Sequence, residues 1–368
     1  MSTHAISCMS LKITITPCPA TTRIYRDFII TICSRKGYGN IMCTSMRLKT
    51  DDFYFGRNMD IEYSFNEQVV ITPRNYPFEF RKNESIDSHF AIIGMATIMD
   101  NYPHYAEAAN EKGLCIAGLN FPNYAYYSDK TDDSKINISV FELIPWLLCQ
   151  CENISQARYL LAKTHIVNIP FNSSVPVATL HWHIADKNSS IVLECTKSGM
   201  HIYDDPVDVL TNDPEFSFHI TNLAQYLNLE TGNVQNCFAN KSGIKPFGKG
   251  MGSIGLPGDF SPASRFVKAA FLKLNSKCNT DENDSVAQFF HILDSVKVVN
   301  GSIKLDKDDK SEYVTTYTCC INPETGIYYY KTYHNNQISA VNMYHEDLQG
   351  SSLYAFPLVK NQQFLHLN

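Results

Sequence analysis

Between residues 43 and 59 apolar and polar side chains alternate on either side of a polar turn, Lys49-Thr50-Asp51-Asp52. A period of two broken by such a turn predicts a β-hairpin, with Cys43 at the head of its first strand. Similar runs predict strands at 90–98 and, after the turn Asn110-Glu111-Lys112-Gly113, at 114–119. Further strands are expected at 178–185, 191–195, 201–203 and 208–212, and a last group at 313–321, 326–332 and 337–343. Helices fall between these groups. Ser139 with Glu142 three residues on is a capping box that opens a helix through Trp146, and Ser155 is the expected cap of a second, through Leu161. Later helices are expected at 216–227, 264–274 and 285–296.

Strands gathered as hairpins between pairs of helices predict an α+β fold of antiparallel sheets, each covered on one face by helices. A doubly wound βαβ fold does not fit this order. Residues 1–41 contain three cysteines and scattered apolar residues, show neither period nor caps, and read as detachable from the rest.

With 44% hydrophobic and 18% charged residues, the 368-residue chain can bury one large core or two modest ones, here read as one globular domain behind an N-terminal piece. A formal charge of −6 and the lack of basic blocks interleaved with aromatics argue against nucleic acid as a partner. The longest apolar run, 141–149, is interrupted by Pro145 and falls short of the roughly 18 to 20 residues of a membrane span.

Twelve cysteines without a secretory signal read as free, mostly buried thiols in a reducing cytoplasm. Neither Cys149/Cys151 nor Cys319/Cys320 has zinc or redox spacing, and the histidines complete no metal site. His181 and His183 share one face of a strand around Trp182, and packing or hydrogen bonding accounts for them better than a metal does. Gly250-Met251-Gly252-Ser253-Ile254-Gly255 matches a dinucleotide fingerprint in form, but Leu256-Pro257-Gly258-Asp259 follows at once and stops any helix. The segment is therefore expected to be a shaped loop leading to the helix start at Ser261/Pro262, and no cofactor is implied.

Cys43 carries a different chemistry. A chain that begins at this residue has an α-amine with a pKa of roughly 7.7 to 8.0, able to take the proton of its own thiol without a histidine. Arg57 and Asp60, on the partner strand, are placed to supply a cation for the thiolate and an acceptor for the amine. The local pattern is met equally by a packed strand cysteine with a surface arginine and aspartate.

Several blocks in order carry a wider resemblance: Met42-Cys43-Thr44, Phe55-Gly56-Arg57-Asn58-Met59-Asp60, Ile61-Glu62-Tyr63-Ser64-Phe65, Asn110-Glu111-Lys112-Gly113, Ala117-Gly118-Leu119-Asn120-Phe121-Pro122, Val209-Leu210-Thr211-Asn212 and Ser264-Arg265-Phe266. From Met42 to near the C-terminus the chain resembles the choloylglycine hydrolase family, nearest within it to bacterial bile salt hydrolases. The resemblance implies an N-terminal nucleophile hydrolase fold, an αββα sandwich of two antiparallel sheets, and hydrolysis of the amide joining a bile acid to glycine or taurine. It implies Cys43 as nucleophile, Arg57 and Asp60 as the residues that polarise the thiol and hold the amine, and Asn212 with Asn120 as oxyanion donors. It also makes Arg265 the site arginine, and implies pocket walls at Met59, Phe65, Met99, Phe171 and Val175.

Penicillin V acylases share most of these positions but commonly differ at that of Asn120, which favours bile salts. A non-catalytic binding protein is the reading that remains if Cys43 is never exposed. The family's enzymes usually expose this cysteine by losing an initiator methionine, so residues 1–42 are expected to be absent from the working enzyme, as an over-translated start or a prosegment, leaving 43–368 as the catalytic domain. The resemblance further implies a cytoplasmic enzyme that assembles as a homotetramer.

Overall fold

The computed structural model describes residues 41–238, 243–304 and 313–368. The proposed separation of residues 1–40 from the fold lies outside the described residues.

The N-terminal hairpin forms where the alternation places it. Strand β1 (Met42–Lys49) pairs antiparallel with β2 (Phe53–Ile61), setting Cys43 opposite Met59 and Ser45 opposite Arg57. The turn closes through the Thr50 N–H, which donates to the Asp52 carbonyl at 2.9 Å. In chain order there follow β3 (Gln68–Thr72), β4 (Ile92–Met99), β5 (Tyr102–Asn110), β6 (Cys115–Asn120) and β7 (Ile136–Ser139). Helices α1 (Leu143–Leu148) and α2 (Ile154–Ala162) precede β8 (Thr164–Val167), β9 (Leu180–Ala185), β10 (Ser190–Thr196), β11 (Gly199–Asp204) and β12 (Val209–Leu210). Helices α3 (Phe216–Asn222), α4 (Pro262–Asn275) and α5 (Glu282–Asp294) lead to β13 (Val314–Asn322), β14 (Ile327–Thr332), β15 (Asn335–Asn342) and β16 (Tyr354–Pro357).

Two antiparallel sheets result, one ordered β12-β1-β2-β13-β14-β15 and the other β11-β10-β9-β6-β5-β4-β3-β16. Strands β1 and β2 face β6 across the gap, α4 and α5 cover the outside of the first sheet, and α1 covers the outside of the second. This is the expected αββα sandwich. One buried cluster fills the space between the sheets and extends under α4 and α5, and a second lies under α1 and α2. Strand periodicity then sorts the side chains of β1: Ser45 reaches His183 on the second sheet at 2.9 Å, whereas Thr44 meets Arg265 on α4 at 2.7 Å.

Two local expectations needed correction. The capping residue of α2 is Asn153, whose side chain accepts from the Gln156 N–H, and Ser155 lies inside the first turn. Ser139 and Glu142 form the backbone half of their box, the Glu142 carboxylate accepting the Ser139 N–H at 2.7 Å, but a short 3-10 turn at Val140–Glu142 delays α1 to Leu143. Segment 250–255 is a loop with a single 3-10 turn, bounded by Gly250 and Gly255 at φ of 78° and 99°, and the helix start falls at Ser261/Pro262 as expected. One glycine has no freedom to change: a Cβ on Gly56 would stand 2.1 Å from the Cys319 carbonyl oxygen, because β2 and β13 approach closely beside Arg57.

Candidate active site

Six residues far apart in sequence meet at the head of β1. The hairpin register alone brings Arg57 back alongside Cys43, and the guanidinium donates from Nη2 to the Cys43 Sγ. The same group is pinned by the Gly118 carbonyl at 2.5 Å and lies 3.8 Å from the Glu107 carboxylate on the second sheet. Asn212, just past β12, accepts the Cys43 backbone N–H on Oδ1 at 2.8 Å and donates from Nδ2 to the Asn120 carbonyl at 2.8 Å. Arg265, in the first turns of α4, donates to that Asn212 Oδ1 at 2.7 Å and to the Cys43 carbonyl at 2.5 Å. Asn120 ends β6, where its Nδ2 donates to the Ile41 carbonyl at 3.2 Å and its Oδ1 accepts from Thr179 at 3.2 Å.

Asp60 stands slightly apart. Its Oδ1 accepts from Thr315 at 2.5 Å, its carbonyl accepts from the Tyr313 hydroxyl at 3.0 Å, and its Oδ2 is buried with no hydrogen-bond partner. The Tyr313 hydroxyl also accepts the Met42 N–H at 2.6 Å. The Cys43 N–H thus turns to Asn212 and not to Asp60. Arg57 and Asp60 are both fully buried, which removes the surface alternative left open by the local pattern.

Burial governs the electrostatics. It pushes the Cys43 thiol above its usual range against the pull of Arg57, the Asn120 backbone amide and Arg265, with Asp60 adding to the rise. It also lifts Asp60 to about 6, in spite of Arg265, Thr315 and Arg57. Burial works against the charge on Arg57, but Cys43, Tyr317 and Glu107 outweigh it and hold the guanidinium firmly protonated. Arg265 is drawn below its ordinary value by burial, against Asp60 and Cys43. The thiol therefore keeps its proton in this arrangement. Among the described residues, the polar groups that meet Sγ are Arg57 and the Asn120 N–H, both donors, and neither can take that proton.

The expected pocket walls divide. Met59, within reach of Arg57 through its sulfur at 3.7 Å, and half-buried Phe65 pack in the same cluster as Cys43. Met99, Phe171 and Val175 belong to the other cluster, where Phe171 packs against Tyr102, His104 and Phe141. The Phe65 carbonyl accepts from Thr97 at 2.7 Å, which ties the first group to β4, the strand that carries Met99. His181 and His183 are both buried and hydrogen-bonded. Among the described residues no cluster of three histidines, cysteines or acids could hold a metal, and the nine cysteines are free thiols.

Sequence reading missed Glu107, Thr315 and Tyr313. Glu107 lies on β5, a strand that went unpredicted because Pro103 and two charged or polar positions blur its alternation. A lone acid among Ala106, Ala108 and Ala109 was the available signal, since a carboxylate in so apolar a strand demands a cation across the gap.

A sandwich of two antiparallel sheets with a cysteine at the head of a central strand, flanked by buried arginine and amide donors, defines an N-terminal nucleophile amidohydrolase architecture. The chain belongs to the choloylglycine hydrolase family of linear amide C–N hydrolases, whose family model matches residues 43–356. It is 48% identical over 327 residues to the bile salt hydrolase/transferase of Lactiplantibacillus plantarum, covering 89% of this chain and 100% of that protein. Its fold matches a crystal structure of conjugated bile acid hydrolase from Clostridium perfringens with a TM-score of 0.82 at 40% identity, over 89% of this chain and 100% of that one. Penicillin V acylase from Agrobacterium tumefaciens shares the fold at a TM-score of 0.68 and 18% identity, over 88% of this chain and 94% of that one.

Proposed function

We propose that the chain hydrolyses the amide between a bile acid and glycine or taurine, with Cys43 as an N-terminal nucleophile and residues 1–42 absent from the working enzyme. The observation that carries this reading is the set of partners around Sγ: donors only, so that a base must come from elsewhere, and the α-amine that a chain starting at Cys43 would possess is the base closest at hand. With Met42 present that nitrogen is an amide whose N–H is engaged by Asn212, and it has no basicity. The relatives support the same start, since the whole of the Lactiplantibacillus protein aligns with 89% of this chain and the family match begins at residue 43.

The amine, directly or through one water, takes the thiol proton while Arg57 steadies the thiolate. Sulfur adds to the amide carbon, and the oxyanion is received by Asn212 Nδ2 with Asn120 assisting, a pair of donors worth several kcal/mol. Collapse expels glycine or taurine, whose nitrogen takes the proton back from the ammonium, and leaves a thioester on Sγ. Water, deprotonated by the amine, then cleaves the thioester and frees the bile acid. Asp60, with one buried oxygen unpartnered, is the acceptor for the ammonium, and Arg265 fixes Asn212 from behind. Met59 and Phe65 form the near wall of the steroid site, and Met99, Phe171 and Val175 its far wall.

Penicillin V acylase activity is the alternative, favoured by the shared fold and opposed by Asn120. Incubating the Cys43-started chain with glycine- and taurine-conjugated bile salts and with a phenoxyacyl amide decides between them: release of glycine or taurine is expected, and no turnover of any conjugated bile salt would end the leading reading. Intact mass of protein from its native host is expected to begin at Cys43, and a retained extension would support a non-catalytic binder instead. We place the enzyme in the cytoplasm on its free buried thiols; no helix among the described residues is long and apolar enough to cross a membrane. A homotetramer accords with the exposed Leu227, Phe247 and Ile254 between α3 and α4, and sedimentation velocity tests it.

A further inference from the structure

The side chain of Asn212 is held by Cys43, Arg265 and Asn120, but its backbone is held by residues with no part in the reaction above. The Thr211 carbonyl accepts from His181 Nε2 at 3.0 Å, and the next carbonyl, that of Asn212 itself, accepts from His219 Nε2 at 2.9 Å. His181 comes from β9 on the second sheet and His219 from α3, so two imidazoles from separate elements grip consecutive peptide units. Glu194, on β10, joins them: its Oε1 lies 3.1 Å from His181 Nδ1 and accepts the Phe216 N–H, the first of α3, at 3.0 Å. The chain of bonds returns to its start. It runs from Glu194 through His181 to Thr211 and Asn212, through His219 into α3, and back through Phe216 to Glu194.

We propose that Glu194, His181 and His219 are positioning residues for Asn212, fixing its peptide so that the side-chain amide meets the developing oxyanion in place. The proposal rests on the reading of Asn212 as oxyanion donor. All three side chains are fully buried, and none touches Cys43 through a hydrogen bond. His181 Nε2 donates to Thr211, so a proton must also lie between Nδ1 and Glu194, which two bare lone pairs would otherwise repel. His219 stacks on Phe266 with ring centroids 4.9 Å apart, and burial drops its pKa to about 4, leaving a neutral ring that donates from Nε2. Phe266 is the neighbour of Arg265 on α4, so both supports of Asn212 share one packing unit.

Two near-isosteric variants separate this role from plain stability. His219→Phe keeps the stack and loses the bond. Glu194→Gln keeps the volume but removes the charge and the proton shared with His181: an amide oxygen turned to the Phe216 N–H faces the bare Nδ1, and an amide N–H turned to Nδ1 points a donor at the Phe216 N–H. Rates with a glycine-conjugated bile salt are expressed per mole of alkylatable Cys43 in the active enzyme, so that unfolded protein is not counted. Each variant is expected to lower kcat about 10- to 100-fold with KM within about 3-fold of the parent, the effect of an oxyanion donor displaced but present. His219→Gln, which regains a donor, is expected to recover at least half of the lost factor on a logarithmic scale. Parental kcat in both variants, or a loss confined to KM, would overturn the proposal; if His219→Phe does not fold, Glu194→Gln decides alone. An Asn212→Ala variant run beside them keeps the two readings apart: full activity there would refute the oxyanion role itself, whereas a large loss there with parental kcat in the others refutes only the positioning.

Discussion

Two constellations sit two residues apart on the inward face of β1. At Cys43 a thiol meets Arg57, with Asn212 and Arg265 on its backbone. At Ser45 a hydroxyl meets His183 Nδ1 at 2.9 Å, and Asp205 lies 3.6 Å from the far ring nitrogen. By inventory the Ser45 group is the better match to a hydrolase, since serine, histidine and aspartate stand in line. Its electrostatics deny it. Burial drops His183 to about 3, and burial lifts Asp205 to about 7 in spite of three backbone N–H donors. The hydroxyl faces a ring that will not accept charge; Arg57, opposite it in the register, is turned to Cys43, and Arg47 is engaged by Asp208 and the 186–187 carbonyls. What separates the two sites is a cation placed to receive negative charge on the nucleophile, not the identity of the residues.

The comparison breaks most visibly at the nucleophiles. Cys43→Ser is expected to abolish the thioester, with kcat/KM for bile salt hydrolysis falling at least about 10⁴-fold, because serine's alkoxide is far harder to form beside an amine base. Activity persisting unchanged would overturn the assignment of Cys43 as nucleophile. Next in size, Arg57→Met keeps the length and removes the cation: activity is expected to fall about 10²- to 10³-fold, and the pH midpoint for iodoacetamide alkylation of Cys43 to move upward. That variant also strands Glu107, whose carboxylate is otherwise satisfied by Tyr317 at 2.9 Å and Tyr328 at 2.6 Å, so a loss of about 3 kcal/mol in urea unfolding is expected with it.

The acids give a subtler contrast. Asp60 is held at about 6 in the fold against an ordinary 3.8, so the native chain keeps a proton that the unfolded chain has shed. Its contribution to stability is full below about pH 4 and is lost as pH rises through 6. Asp205 acts in the same direction up to about 7. His183 acts in the opposite one, since the unfolded ring takes a proton below 6.5 that the buried ring refuses until about 3, and its contribution is lost as pH falls. Near Ser45 the two slopes offset each other across pH 4 to 6.5, and His219, held at about 4, opposes Asp60 in the same way. Asp60→Asn is therefore expected to make the change in unfolding free energy between pH 4 and 6 more positive by about 2 to 3 kcal/mol, in urea titrations at several pH values. His183→Phe is expected to make it more negative. The smallest effect belongs to Ser45→Ala, with stability lowered by about 1 kcal/mol and kcat within about 3-fold of the parent.

The sequence reading went furthest where local pattern and distant motif agreed. The hairpin of β1 and β2 follows from its alternation and turn, and the register alone delivers Arg57 to Cys43. Helices α4 and α5 lie where they were expected, at 264–274 and 285–296, with the Ser261/Pro262 start of α4 read from the sequence and the Asp281 cap of α5 not. The stacking of the sheets was supplied by family resemblance, because nothing in a period of two says which sheet a face will meet. Strands β3, β5, β7, β8 and β16 escaped: four of them are only four or five residues long, and β5 carries Pro103 and Glu107. With β5 went Glu107, the partner that makes a buried Arg57 tolerable. The cap of α2 was misplaced because Asn153 and Ser155 are both good capping residues, and only the chain's path into the helix chooses between them. The gathering of Asn120, Asn212 and Arg265 could not be read from spacing, since they arrive from β6, the end of β12 and α4 by three unrelated routes.

Gly56 lies within that legible hairpin, and its lack of a side chain reaches beyond packing. Any Cβ there must displace the backbone of Cys319 and Cys320, and Arg57, the next residue along, would move with its strand. Every missense change in this codon is thus a change in the reactivity of the thiol. A lineage under selection for hydrolysis can drift freely across the exposed faces of β15 but has a single permitted letter at this position, which makes Gly56 a sensitive marker of whether a descendant of this chain still needs its cysteine to react.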